Sequence, residues 1–190
     1  MNQKRIFIIH GWEGAPESNW FPWLKKQLEK QGFDAIVPVM PNTDNPISSE
    51  WLAYMQKIIS NPDKNTYLVG HSLGVIAILR FLESLLPEQK IGGAVFVAGF
   101  SESVGINETE SFFAAPLDYE KIKNSAEKFI AINSDNDPYV PLKKGEILRD
   151  KLGAELIIVQ KGSHFHEGAG FTELPIVLES LLKIYAKRKI

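Results

Sequence analysis

The chain has 190 residues, 44% of them hydrophobic and 23% charged, a balance that suits one water-soluble domain over residues 1–190 with a substantial core. Its formal charge of −2 is spread along the sequence, with no extended basic face, which argues against nucleic acid or an anionic membrane as a partner. The absence of cysteine removes disulfide and thiolate chemistry and suits a reducing compartment.

Near the N-terminus, Lys4 and Arg5 lead into the apolar run of Ile6, Phe7, Ile8 and Ile9, as in a strand buried on both faces of a parallel sheet. The run is too short for a secretory signal and no long apolar segment follows, so the cytoplasm is expected. It ends at His10, Gly11, Trp12, Glu13 and Gly14. Ser18 or Asn19 is then placed to cap a helix running to about Gln31, with Trp20, Trp23, Leu24 and Leu28 on one face and Gly32 as its stop. A short strand is expected over 35–39, then a loop marked by Pro38, Pro41 and Pro46. The next helix is expected to be capped by Ser48 or Ser49 and to carry Trp51, Leu52, Met55, Ile58 and Ile59.

Residues 66–82 are the most informative stretch. The β-prone run of Thr66, Tyr67, Leu68 and Val69 meets Gly70, His71, Ser72, Leu73 and Gly74, and a long apolar helix follows, closed by Pro87. A serine between two glycines at a strand-to-helix junction is what a nucleophile elbow needs, because side chains at either glycine would collide with adjacent backbone. The backbone N–H of Leu73 and the helix N-terminus can then face a developing oxyanion. The bare pattern is weak, and a serine-capped turn would also satisfy it. Its flanking strand and helix supply the weight.

Further buried strands are expected over 91–98, 128–133 and 155–159, with helices over 119–124 and 142–152 and from Thr172 onward. Residues 99–117 lack periodicity and suggest a long loop or small irregular cap over the elbow. The Lys187, Arg188 and Lys189 cluster suggests a solvated tail. Six strands alternating with helices argue for a doubly wound parallel sheet, whose ligand site lies at the C-terminal ends of its strands.

A serine hydroxyl needs a general base oriented by a carboxylate. His10 precedes the elbow and His71 should point away across the pleat, which leaves His164 and His166, both in the loop 162–170. Asp135 and Asp137 follow the strand 128–133. Asp137 is favoured, since Pro138 and Pro141 stiffen the turn that must hold the carboxylate. The order serine, acid, histidine matches that of α/β-hydrolases. A metal reading would need His164, His166 and Glu167, without a third histidine at usable spacing, and the phosphate-loop and dinucleotide fingerprints are absent. No cofactor is implied.

The stretches from Gly70 to Gly74, from Asp137 to Pro141 and from Gly162 to Phe165 resemble the small serine hydrolases related to retinoblastoma-binding protein 9, the YdeN-like family of the α/β-hydrolase superfamily. The resemblance covers essentially the whole chain. It implies Ser72 as nucleophile, Asp137 as orienting acid and His164 as base, while His166 has no assigned counterpart. It also implies a compact α/β-hydrolase fold with strand order 2-1-3-4-5-6, helices on both faces and no large lid. His10, Gly11 and Trp12 resemble the superfamily's oxyanion loop, so the backbone N–H groups of Trp12 and Leu73 are the expected oxyanion donors. His10, Gly11, Phe100, Phe112, Phe113 and Phe165 are expected to help form a shallow substrate cleft. Cleavage of a small ester, thioester or amide through an acyl-enzyme is the leading expectation, with a small-molecule acyl substrate as the partner. The alternatives are an acyltransferase using the same triad and a non-catalytic protein-binding module on the same fold.

Overall fold

The computed structural model describes residues 4–186; the basic cluster at Lys187, Arg188 and Lys189 lies outside them. The apolar runs form strands β1 (Arg5–Ile9), β2 (Asp34–Ile36), β3 (Thr66–His71), β4 (Gly93–Val97), β5 (Phe129–Ser134) and β6 (Glu155–Val159). They make one sheet in the order β2-β1-β3-β4-β5-β6, with every neighbouring pair parallel. Because side chains alternate across a strand, each buried run feeds two cores. On one face Phe7, Leu68 and Phe96 pack against α2 (Ser48–Ile58), α3 (Leu73–Glu83), α4 (Tyr119–Asn124) and α5 (Leu142–Leu152). On the other, Ile8, Val69 and Val95 pack against α1 (Phe21–Lys30) and α6 (Pro175–Ala186). This is the compact α/β-hydrolase architecture.

The bounds of α4, α5 and β6 coincide with the sequence reading. Elsewhere local chemistry shifts them. The strand expected over 35–39 is the three-residue β2, which pairs only with β1; Pro38, which has no N–H to donate, stands just beyond it. Neither expected serine or asparagine cap is made: the residues flanking α1 and α2 are Trp20 and Ile47, with no side-chain cap bond. Asn19 instead adopts a left-handed φ of 55° and accepts a hydrogen bond from the Glu167 N–H at 2.9 Å. The last helix starts at Pro175 rather than Thr172, since proline's fixed φ and missing N–H suit a first helical turn. The strand expected over 91–98 shrinks to β4, and Ile91 makes an isolated bridge to Ala126.

Within 99–117, residues Asn107–Phe113 form a 3₁₀ turn. Its three-residue repeat explains why no helical or strand periodicity shows in the sequence. Among the described residues no helix is long and apolar enough to cross a membrane.

Candidate active site

The C-terminal ends of β1, β3, β4, β5 and β6 converge on one edge of the sheet. There the chain turns from β3 into α3 through Ser72, whose φ of 53° and ψ of −121° put a non-glycine residue in strained backbone. The turn survives because its surroundings over-determine it. The Ser72 N–H donates to the Val97 carbonyl at 2.9 Å, and the Val75 N–H donates to the Ser72 carbonyl at 3.0 Å. A Cβ at Gly70 would lie 2.9 Å from the backbone of Val75, and one at Gly74 only 2.2 Å from the Ile9 carbonyl oxygen. Only glycine lets the elbow fold this tightly beside β1.

His164 and Asp137 meet at this edge. The His164 Nδ1 lies 2.8 Å from Asp137 Oδ2, and the aspartate side chain is fully buried. Asp137 Oδ1 accepts from the N–H groups of Tyr139 at 2.9 Å and Val140 at 3.0 Å. A carboxylate satisfied in this way can only accept from the imidazole, so Nδ1 carries a hydrogen, which in the neutral ring leaves the lone pair on Nε2. Ser72 and His164 line the same cleft of about 350 Å³. Among the described residues neither the Trp12 nor the Leu73 N–H donates a hydrogen bond, and both residues line that cleft.

The histidine loop is held by side chains from four directions. Asp135 Oδ1 accepts from the Lys161 N–H at 2.7 Å, and Asn136 Oδ1 from the Ser163 N–H at 2.8 Å. Trp20 Nε1 donates to the Phe165 carbonyl at 3.0 Å, and His71 Nε2 sits 2.9 Å from the His164 carbonyl. These bonds hold Lys161, Ser163 and Phe165 at φ values of 56°, 49° and 53°, each costing about 1–2 kcal/mol for a side-chain-bearing residue. Asp135, the rival acid in the sequence reading, is thus engaged by backbone two residues away from the His164 contact.

His10 lies behind the site. It is wholly buried, its Nε2 accepts from the Met40 N–H at 3.3 Å, and its Nδ1 lies 2.8 Å from the Gly11 carbonyl. Burial pushes its pKa below the ordinary histidine value, in keeping with an unprotonated Nε2.

Of the residues expected around the cleft, Phe100 lines its apolar side, and Gly11 lines an adjoining polar cleft of about 420 Å³ that also contains Ser72 and His164. His10, Phe112, Phe113 and Phe165 line neither. Phe112 packs edge-on against Trp51, Phe113 stacks on Phe100, and Phe165 is buried against Phe171. In their place Val104, Ile106 and Thr109 wall the apolar side, with Tyr139, Val140 and His166 around the histidine. Tyr139 and Val140 could have been inferred from their place in the acid turn. Nothing periodic in 99–117 announces the other three. Among the described residues no group of three or more His, Asp or Glu side chains is arranged to hold a metal ion.

The family model for serine hydrolases matches residues 6–183. The chain belongs to that serine hydrolase family. It is 40% identical over 185 residues to the Bacillus subtilis protein named "Putative hydrolase YdeN", covering 97% of each chain. It is 31% identical over 166 residues to the serine hydrolase RBBP9 of Rattus norvegicus, covering 86% of each. The crystal structure of the B. subtilis ydeN gene product superposes with a TM-score of 0.93 at 39% identity, over 97% of this chain and 100% of that one. Family membership makes this chain a hydrolytic enzyme.

Proposed function

We propose that the protein cleaves small esters, thioesters or amides through an acyl-enzyme on Ser72, in the cytoplasm. His164 is the general base and Asp137 the group that orients it. The observation carrying this reading is the 2.8 Å contact of His164 Nδ1 with the fully buried Asp137 carboxylate, on a cleft wall shared with Ser72. Ser72 Oγ attacks the substrate carbonyl carbon while its proton passes to His164 Nε2. The oxyanion so formed takes hydrogen bonds from the Trp12 and Leu73 N–H groups. The protonated imidazole then gives its proton to the departing alcohol, thiol or amine, leaving an acyl-Ser72 ester. Water, deprotonated by His164, repeats the sequence and frees the acid and the serine.

Intact-protein mass spectrometry after treatment with a serine-directed fluorophosphonate tests the proposal. The wild type should gain one adduct at neutral pH and Ser72→Ala none. Labelling of the alanine variant, or an unlabelled wild type, overturns it. The same acyl-enzyme partitioned between water and added alcohols or amines separates hydrolysis from acyl transfer; hydrolysis is expected to dominate.

A further inference from the structure

The elbow's second residue has a role that its position next to the nucleophile hides. His71 ends β3, and the pleat sends its side chain to the face opposite α3, where it lies 4% exposed. On that face it does not merely fill space. Its ring is bracketed edge-on by Trp20 and Phe21 at 5.8 Å each, and it lies 5.0 Å from the His164 ring. Its Nε2 points at the His164 backbone carbonyl at 2.9 Å. A carbonyl oxygen can only accept, so Nε2 carries the hydrogen.

We propose that His71 is a positioning residue, whose Nε2–H, held by the carbonyl of His164, fixes the base's loop relative to the nucleophile one residue along the chain. The proposal rests on the assignment of Ser72 and His164 made above. Residue 71 moves with Ser72 because they are bonded neighbours at a strained turn. The carbonyl moves with the His164 side chain because both belong to one residue. A single hydrogen bond therefore links the residue next to the nucleophile with the residue that carries the base. Trp20 Nε1 reinforces it by binding the next carbonyl, that of Phe165. A neutral ring spares the apolar face between Trp20 and Phe21 a buried charge. Burial first, and then the neighbouring His164 charge, push its pKa down to about 3; Asp137 and His166 are the other ionisable groups facing it. The ring is thus uncharged throughout the pH range in which a histidine base works, with its one hydrogen on Nε2.

Glutamine and asparagine separate this role from simple packing. The glutamine amide nitrogen lies the same number of bonds from Cβ as histidine Nε2, whereas that of asparagine stops one bond short. His71→Phe keeps the aromatic bulk and removes the donor. With an aryl butyrate as substrate, His71→Phe and His71→Asn should lower kcat by about 30- to 100-fold with KM within about threefold, since small misplacement of a catalytic group is costly. His71→Gln should stay within about fivefold of the wild type. Fluorophosphonate labelling of Ser72 should slow in the same ranking. Far-UV circular dichroism identifies any variant that fails to fold, and either the phenylalanine or the asparagine variant alone suffices for the comparison. Phenylalanine and asparagine variants within threefold of the wild type, or a glutamine variant as impaired as phenylalanine, overturn the positioning role while leaving the hydrolase reading intact. A wild type that does not label overturns that reading itself.

Discussion

Two segments wall the cleft and are held in opposite ways. The histidine loop is fixed through its backbone by side chains from neighbouring elements: Asp135 and Asn136 after β5, His71 at the end of β3, Asn19 and Trp20 before α1. The 99–117 segment hangs mainly on the long side chain of Arg80 in α3. Its Nε and Nη2 donate to the Phe112 carbonyl at 3.0 and 2.9 Å, and Nη2 also donates to that of Ala115. Ser111, bonded to Ser48 N–H and Pro46 carbonyl, and Lys144, bonded to the Ser103 carbonyl, add secondary ties. Five side chains converging on successive backbone groups over-determine a position, whereas one long side chain gathering carbonyls leaves it more freedom. The proposed chemistry rests on the first kind of support and the proposed substrate fit on the second.

The sharpest break falls on the first wall. His164→Ala should lower kcat by roughly 10³-fold or more and His166→Ala by less than about tenfold, measured on an aryl acetate; the reverse ranking would reassign the base. Asp137→Asn should cost about 10³- to 10⁴-fold, because the amide no longer favours the Nδ1–H tautomer. Asp135→Asn keeps an acceptor for the Lys161 N–H and should cost less than about tenfold; a larger loss than at Asp137 would move the acid.

The second wall should respond in selectivity rather than rate. In the wild type, kcat/KM should rise from acetyl to butyryl aryl esters, each buried methylene contributing about 0.8 kcal/mol, and fall beyond about eight carbons as the cleft runs out of wall. Arg80→Met should shift that optimum to longer chains while butyryl turnover changes by less than about threefold. An unchanged chain-length profile would show that the secondary ties suffice.

A further effect is on stability. Below pH 6.5 the unfolded His71 takes up a proton that the folded one refuses until about pH 3, so its contribution is full above pH 6.5 and is lost as pH falls. Urea unfolding should show a loss of about 3 kcal/mol from this group by pH 4. His71→Gln should flatten that part of the curve, and an equal slope in both proteins would contradict it.

The sequence exposed what repeats or what chemistry demands locally. The elbow is legible because an apolar run, two glycines and an apolar helix are contiguous. The strand order and the pairing of Asp137 with His164 follow the resemblance once their loops fall after successive strands. The supports were not legible, since they are side-chain to backbone bonds between distant positions; Asn19 and Glu167 are 148 residues apart. Residues with strong local signals were also diverted: Ser18 and Asn19 suggested a cap, yet Asn19 serves the histidine loop. The adjacent Phe112 and Phe113 show the same difficulty, one entering the core beside Trp51 and the other stacking on Phe100.

Gly74 sits where α3 passes the end of β1, close enough that a single added carbon would reach 2.2 Å from the Ile9 carbonyl oxygen. Ile9 and His10 lead directly into Gly11 and Trp12, the loop proposed to receive the substrate's oxygen, while Gly74 lies two residues beyond Ser72. The separation between the attacking atom and the hydrogen-bond donors across from it is therefore gauged by backbone touching backbone, with no side chain as a spacer. A side chain at Gly74 would push the two backbones apart, and with them the loop proposed to receive the substrate's oxygen.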